Sequence, residues 1–206
     1  AELLPQQQRI ADEIIAMICS NCAESSASIC VSGEWGVGKT SVVNGAIDEL
    51  RRRNRGDGKR RQDEYIYINA MELDTVSSLF DYFFSRIREI LKKRGAYVGF
   101  GSAYQKFISS SIGKITDPSI AAILETKLFP SSDDYRERLK SLEESIYAAL
   151  DRDMILVIVD DVERCEEKKA KSFIAFIKEI ATMRGIVTIF ITDFKYLSAP
   201  QQRSGQ

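Results

Sequence analysis

The chain has 206 residues, 44% of them hydrophobic and 29% charged, enough for one large domain or two small ones around a sizeable core. Its 29 lysines and arginines nearly cancel its 30 aspartates and glutamates, so no overall field marks it for nucleic acid or a membrane surface, and any such contact has to be local. It contains no histidine, which removes the commonest general base and every Ser-His or Cys-His nucleophile pair, leaving hydrolytic chemistry to carboxylates and metal.

Four cysteines, Cys19, Cys22, Cys30 and Cys165, lack the spacing of a disulfide framework, which points to reduced thiols and a cytoplasmic location. Cys19 and Cys22 form a C-x-x-C on a helical pattern and are expected as buried or half-buried thiols, not zinc ligands. No apolar run is long enough to span a membrane, and the amino terminus lacks the basic-then-apolar pattern of an export signal, so no membrane role is expected.

Residues 1–27 read as an N-terminal helix leading into a domain, with Pro5 near its start and Ile10, Ile14, Ile15 and Ile18 at helical spacing. A strand at about 28–32 runs into Gly33–Thr40, G-E-W-G-V-G-K-T, a complete G-x-x-x-x-G-K-[ST] phosphate-binding loop. Backbone N–H groups that wrap a polyphosphate need glycine at Gly33, Gly36 and Gly38, where a β-carbon would block approach or the required dihedrals. Lys39 supplies charge to the terminal phosphates, the Thr40 hydroxyl is placed to ligate Mg²⁺, and the helix that starts here aims its positive end at the same anion. Glu34, Trp35, Val37 and Ser41 complete the nucleotide-binding segment.

That helix carries Val42, Val43, Ala46, Ile47 and Leu50 on one face and is expected to give way to a basic connector, residues 51–61, read as a solvated loop with a nucleic-acid contact as the weaker alternative. Tyr65–Asn69 is a second strand, and Asp74 or Thr75 caps a helix with a buried face from Val76 to Leu91. Residues from about 95 to 150 read as a helical insertion, with loops at 95–130 and a capped helix from Ser132 through Ile146 and Leu150. Met154–Asp161 is a continuous apolar strand ending in two carboxylates, a further helix carries Phe173, Ile174, Ile177 and Ile180 inward, and a fourth strand, I-V-T-I-F-I-T-D, ends in Asp193. Strands alternating with helices predict an α/β fold, a parallel sheet with helices on both faces.

A phosphate loop needs an acidic partner at the end of a neighbouring strand. Asp160 is placed to hold Mg²⁺ and Asp161 to orient and deprotonate the attacking water, with Glu163 as the alternative base. Arg164 pairs with an acidic neighbour or, less commonly, reaches a phosphate across a subunit boundary. Thr192 and Asp193 lie at the same carboxyl edge, where Asp193 either contacts water and terminal phosphate or caps a helix.

Together, G-E-W-G-V-G-K-T-S, Y-I-N-A-M at Tyr67–Met71, V-D-D-V-E-R-C at Val159–Cys165 and T-D-F-K-Y-L at Thr192–Leu197 resemble the KAP family of P-loop NTPases, of the additional-strand class related to AAA+ and STAND ATPases. The resemblance spans residues 28–197 and departs mildly at Met71 and Val162, where the family usually has Trp and Leu. It implies a sheet ordered 5-1-4-3-2, ATP and Mg²⁺ as ligands, ATPase activity or a slow nucleotide switch, and a homo-oligomer or further domains as partners. Bacterial members are often tied to defence against phage. Residues 198–206 read as a polar tail, so the chain is expected to stop before the fifth strand and the lid.

Overall fold

The structure, a computed structural model, describes residues 3–20, 25–56, 63–96, 140, 143–151 and 153–193. The elements in chain order are α1 (Pro5–Ser20), β1 (Ala27–Ser32), α2 (Lys39–Gly56), β2 (Glu64–Asn69) and α3 (Val76–Lys93), then α4 (143–150). β3 (Ile155–Asp160), a 3₁₀ turn (Val162–Arg164), α5 (Glu167–Ile180) and β4 (Ile186–Thr192) follow. The four strands form one parallel sheet in the order β1-β4-β3-β2, four of the five positions in 5-1-4-3-2.

Period-2 alternation along these strands divides the core in two. Ile29 of β1, Leu156 and Ile158 of β3, and Val187, Ile189 and Ile191 of β4 pack with α1 and α2. Ile66 and Ile68 of β2, Val157 and Val159 of β3, and Ile186 pack with α3, α4 and α5 on the opposite face. β3 is therefore buried at all six positions, as its unbroken apolar run predicts. The second face is sealed by aromatic rings, with Phe80 and Phe176 4.2 Å apart and Phe83 and Phe84 meeting edge-on at 5.3 Å.

Thr75, and not Asp74, caps α3: its backbone is extended and its hydroxyl accepts from the Ser78 N–H at 3.1 Å. The basic segment departs from expectation, because α2 continues through Gly56 and the connector is shorter. Arginine is a good helix former, and Arg51, Arg52 and Arg53 meet Asp48 and Glu49 one turn back, while Arg51 also lies over the Tyr65 ring at 4.2 Å. Cys19 is exposed, contrary to the expected burial, because it falls on the outer face of α1 while Ile14, Ile15 and Ile18 face inward. Cys30 is exposed on β1, which is an edge strand among the described residues. Cys22, most of the 95–150 segment and the tail at 198–206 lie outside the described residues.

Candidate functional site

The carboxyl ends of the parallel strands gather the polar residues singled out in the sequence. The phosphate loop connects β1 to α2, and Gly36 and Gly38 take φ of +83° and +89°, the left-handed region that glycine enters without strain. Gly38 has a second constraint: a β-carbon there would sit 2.7 Å from Gln7 Nε2, whose amide donates to the Val37 carbonyl at 3.2 Å. Gly33 fits through close packing, since its β-carbon would approach the Val37 side chain at 3.2 Å, and its N–H donates to the Thr192 carbonyl at 3.4 Å. The loop is thereby fastened to α1 at one point and to β4 at another.

Within the loop, Trp35 is 76% exposed and Val37 52%, so neither is held by the core. Lys39 turns its ammonium back onto the loop, donating to the carbonyls of Gly33 at 2.8 Å and Glu34 at 3.1 Å. Ser41 is exposed in the first turn of α2.

Asp160 is the centre of the second half. It is buried, and its carboxylate accepts from three elements: the Thr40 hydroxyl of α2 and the Tyr67 phenol of β2, both 2.8 Å from Oδ2, and the Asp161 N–H, 2.9 Å from Oδ1. Thr40 and Asp160, 120 residues apart in sequence, are thus brought into direct contact. A carboxylate beside a hydroxyl is a hard-oxygen donor set suited to Mg²⁺, and the loop beside it has no β-carbon at Gly33, Gly36 and Gly38.

Asp161 adopts a left-handed backbone, φ 60° and ψ 22°, which breaks the strand and starts the 3₁₀ turn. Its carboxylate faces Arg164 at 3.4 Å, the intrachain pairing expected for that arginine. Glu163 is partly buried and its Oε2 has no partner among the described residues. Asp193 is buried at the end of β4, between β1 with its phosphate loop and β3 with Asp160. The Cys165 thiol lies 3.4 Å from the Ala70 carbonyl and ties the acidic segment to the end of β2; burial pushes its pKa up.

Tyr67 is the site residue that motif reading passed over. Burial, the hydrogen bond to Asp160 and the surrounding carboxylates push its pKa up, so it remains a donor. The signal available was its alternation with the buried Ile66 and Ile68, which places it on the α2 face, but only the strand order sets it beside Asp160.

Solved structures similar to this chain include Drosophila ORC bound to DNA, at 18% identity and TM-score 0.53, covering 93% of this chain and 39% of that one. The Aeropyrum pernix ORC1 protein in complex with DNA is similar at 14% identity and TM-score 0.47, covering 94% and 40%. At such identities the likeness to the Drosophila structure shows a shared fold alone, and this chain spans about two-fifths of those structures. No curated protein matches it in sequence. The KAP family P-loop domain matches residues 7–206, nearly the whole chain, and with the loop, the acidic strand end and the sheet order in place, the chain belongs to the KAP family of P-loop NTPases.

Proposed function

We propose that this domain binds ATP with Mg²⁺ and hydrolyses it. The observation that carries the reading is the 2.8 Å contact between the Thr40 hydroxyl and the Asp160 carboxylate, which joins the two nucleotide motifs into one site. The backbone N–H groups of Gly33–Thr40, apart from that of Gly33 already given to Thr192, and the Lys39 ammonium bind the phosphates, Lys39 exchanging the Gly33 and Glu34 carbonyls for phosphate oxygens. Thr40 and Asp160 would hold Mg²⁺, which when bound neutralises charge on the phosphate oxygens. Asp161 takes the proton of the attacking water, with Glu163 as the alternative base, and Asp193, at the end of the strand between β1 and β3, holds that water or senses the terminal phosphate. Preference for adenine rests on the family and on the lack of an N-K-x-D guanine-reading segment.

Family kinship also supports placing the domain in a larger cytoplasmic bacterial protein, acting as a homo-oligomer or through neighbouring domains in defence against phage. A nucleic-acid surface at 51–61 has less behind it, since Arg51, Arg52 and Arg53 are already engaged with acidic side chains. A second reading, a slow signalling switch of STAND type, is favoured by the Arg164 guanidinium facing Asp161, which draws the base away from a substrate water. Phosphate release over time decides between them: an ATPase gives many equivalents per chain, and a switch gives one and keeps its ADP. Release no faster than in buffer, together with no bound nucleotide, overturns both.

A further inference from the structure

We propose that Tyr67 is a positioning residue for the metal–nucleotide site, holding the Asp160 carboxylate in the orientation that Thr40 meets; this rests on the Mg²⁺–ATP reading above. A carboxylate offers about four lone-pair positions on two oxygens, and the donors on Asp160 divide unequally between them. Oδ1 is fixed by the Asp161 N–H next to it in the chain, whereas Oδ2, turned toward the phosphate loop, is shared by Thr40 and Tyr67. Thr40 is the group expected to turn its oxygen toward a metal. Tyr67 is then the donor that keeps Oδ2 in place whether or not Thr40 is occupied.

The strand itself does not call for this ring. Ile66 and Ile68 pack fully into one core and Tyr65 packs against the other, while Tyr67 remains 38% exposed at the carboxyl edge. The parallel register sets Asn69, not Tyr67, opposite Asp160, yet the Asn69 side chain serves the following turn, accepting from the Met71 N–H at 2.9 Å. The reach of the tyrosine is what spans the remaining distance to Asp160. Outer partners of this kind orient a ligating carboxylate, and losing one costs metal affinity. The opposing effect is electronic: a phenol donor withdraws charge from the carboxylate, so if electronics dominated, its removal would tighten metal binding.

The experiment is titration of a fluorescent ATP analogue, in excess EDTA and in Mg²⁺, for the wild type, Tyr67→Phe, Asp160→Asn and the double variant, with melting temperatures alongside. The expected result is that Tyr67→Phe keeps its melting temperature and its metal-free affinity and loses about tenfold of the gain that Mg²⁺ gives the wild type. In the Asp160→Asn background the same change should then do nothing further. An unchanged or larger Mg²⁺ gain in Tyr67→Phe, or an equal loss with and without metal, overturns the positioning role. A wild type that binds the analogue with no Mg²⁺ gain removes the metal–nucleotide reading itself, a different result from a wild-type gain that Tyr67→Phe preserves.

Discussion

The two ends of the parallel sheet carry similar numbers of charged groups and treat them differently. At the amino end, Arg94 from the close of α3 meets Asp153 at 2.8 Å and Glu64 at 3.9 Å, donates to the Leu150 carbonyl at 3.2 Å, and is 15% exposed. Asp63 beside it accepts from the Met154 N–H at 2.9 Å and from Asn54 at 3.1 Å. At the carboxyl end four carboxylates, Asp160, Asp161, Glu163 and Asp193, gather near the phosphate loop, and Arg164 pairs with Asp161. At the amino end one cation, a backbone N–H and an amide partner three carboxylates, and together they tie α3 and α4 to the strands. The carboxyl end holds acidic groups close together beside left-handed backbone, an arrangement that costs stability and that the proposed Mg²⁺ would offset.

Substitutions at the two ends should therefore separate binding from folding. The largest effect belongs to Lys39→Ala, which removes the ammonium proposed to bind the phosphates: nucleotide affinity should fall by roughly 2 to 4 kcal/mol in a fluorescence titration, with little change in melting temperature. Unaltered affinity would take the loop out of the account. Asp161→Asn should leave nucleotide binding intact and slow phosphate release by roughly 10²-fold or more, since it removes the proposed proton acceptor along with a partly exposed pairing to Arg164.

At the other end the pattern inverts. Arg94→Met leaves Asp153 and Glu64 without their cation and should lower unfolding stability by about 2 kcal/mol in urea denaturation, while nucleotide affinity at saturating fold stays the same. A fall in affinity with no loss of stability would mean that the two ends are not separable. The smallest effect is expected from Glu163→Gln, a few-fold on phosphate release; a loss exceeding that of Asp161→Asn would make Glu163 the base.

The reach of sequence reading divides along similar lines. β1, the phosphate loop and α2 are contiguous, so spacing alone placed them, and Gly36 and Gly38 were legible because their dihedrals exclude other residues. β3 was legible from its apolar run, which only a strand covered on both faces can sustain. Tyr67 was not, because its partner Asp160 lies 93 residues away and the contact depends on β2 lying next to β3. The extent of α2 was misjudged at residues 51–56, where Asn54 and Gly56 suggested a break while i,i+3 and i,i+4 pairs from Asp48 and Glu49 supported continuation.

The carboxyl edge is proposed as a single Mg²⁺–nucleotide site built on Thr40 and Asp160. Calorimetric titration of ATP into the wild type and into Asp160→Asn, each with and without Mg²⁺, tests it most directly. Mg²⁺ is expected to tighten ATP binding to the wild type by about tenfold or more, and Asp160→Asn to bind ATP equally with and without the metal. Equal affinity in both conditions for the wild type, or an undiminished Mg²⁺ effect in Asp160→Asn, would contradict it.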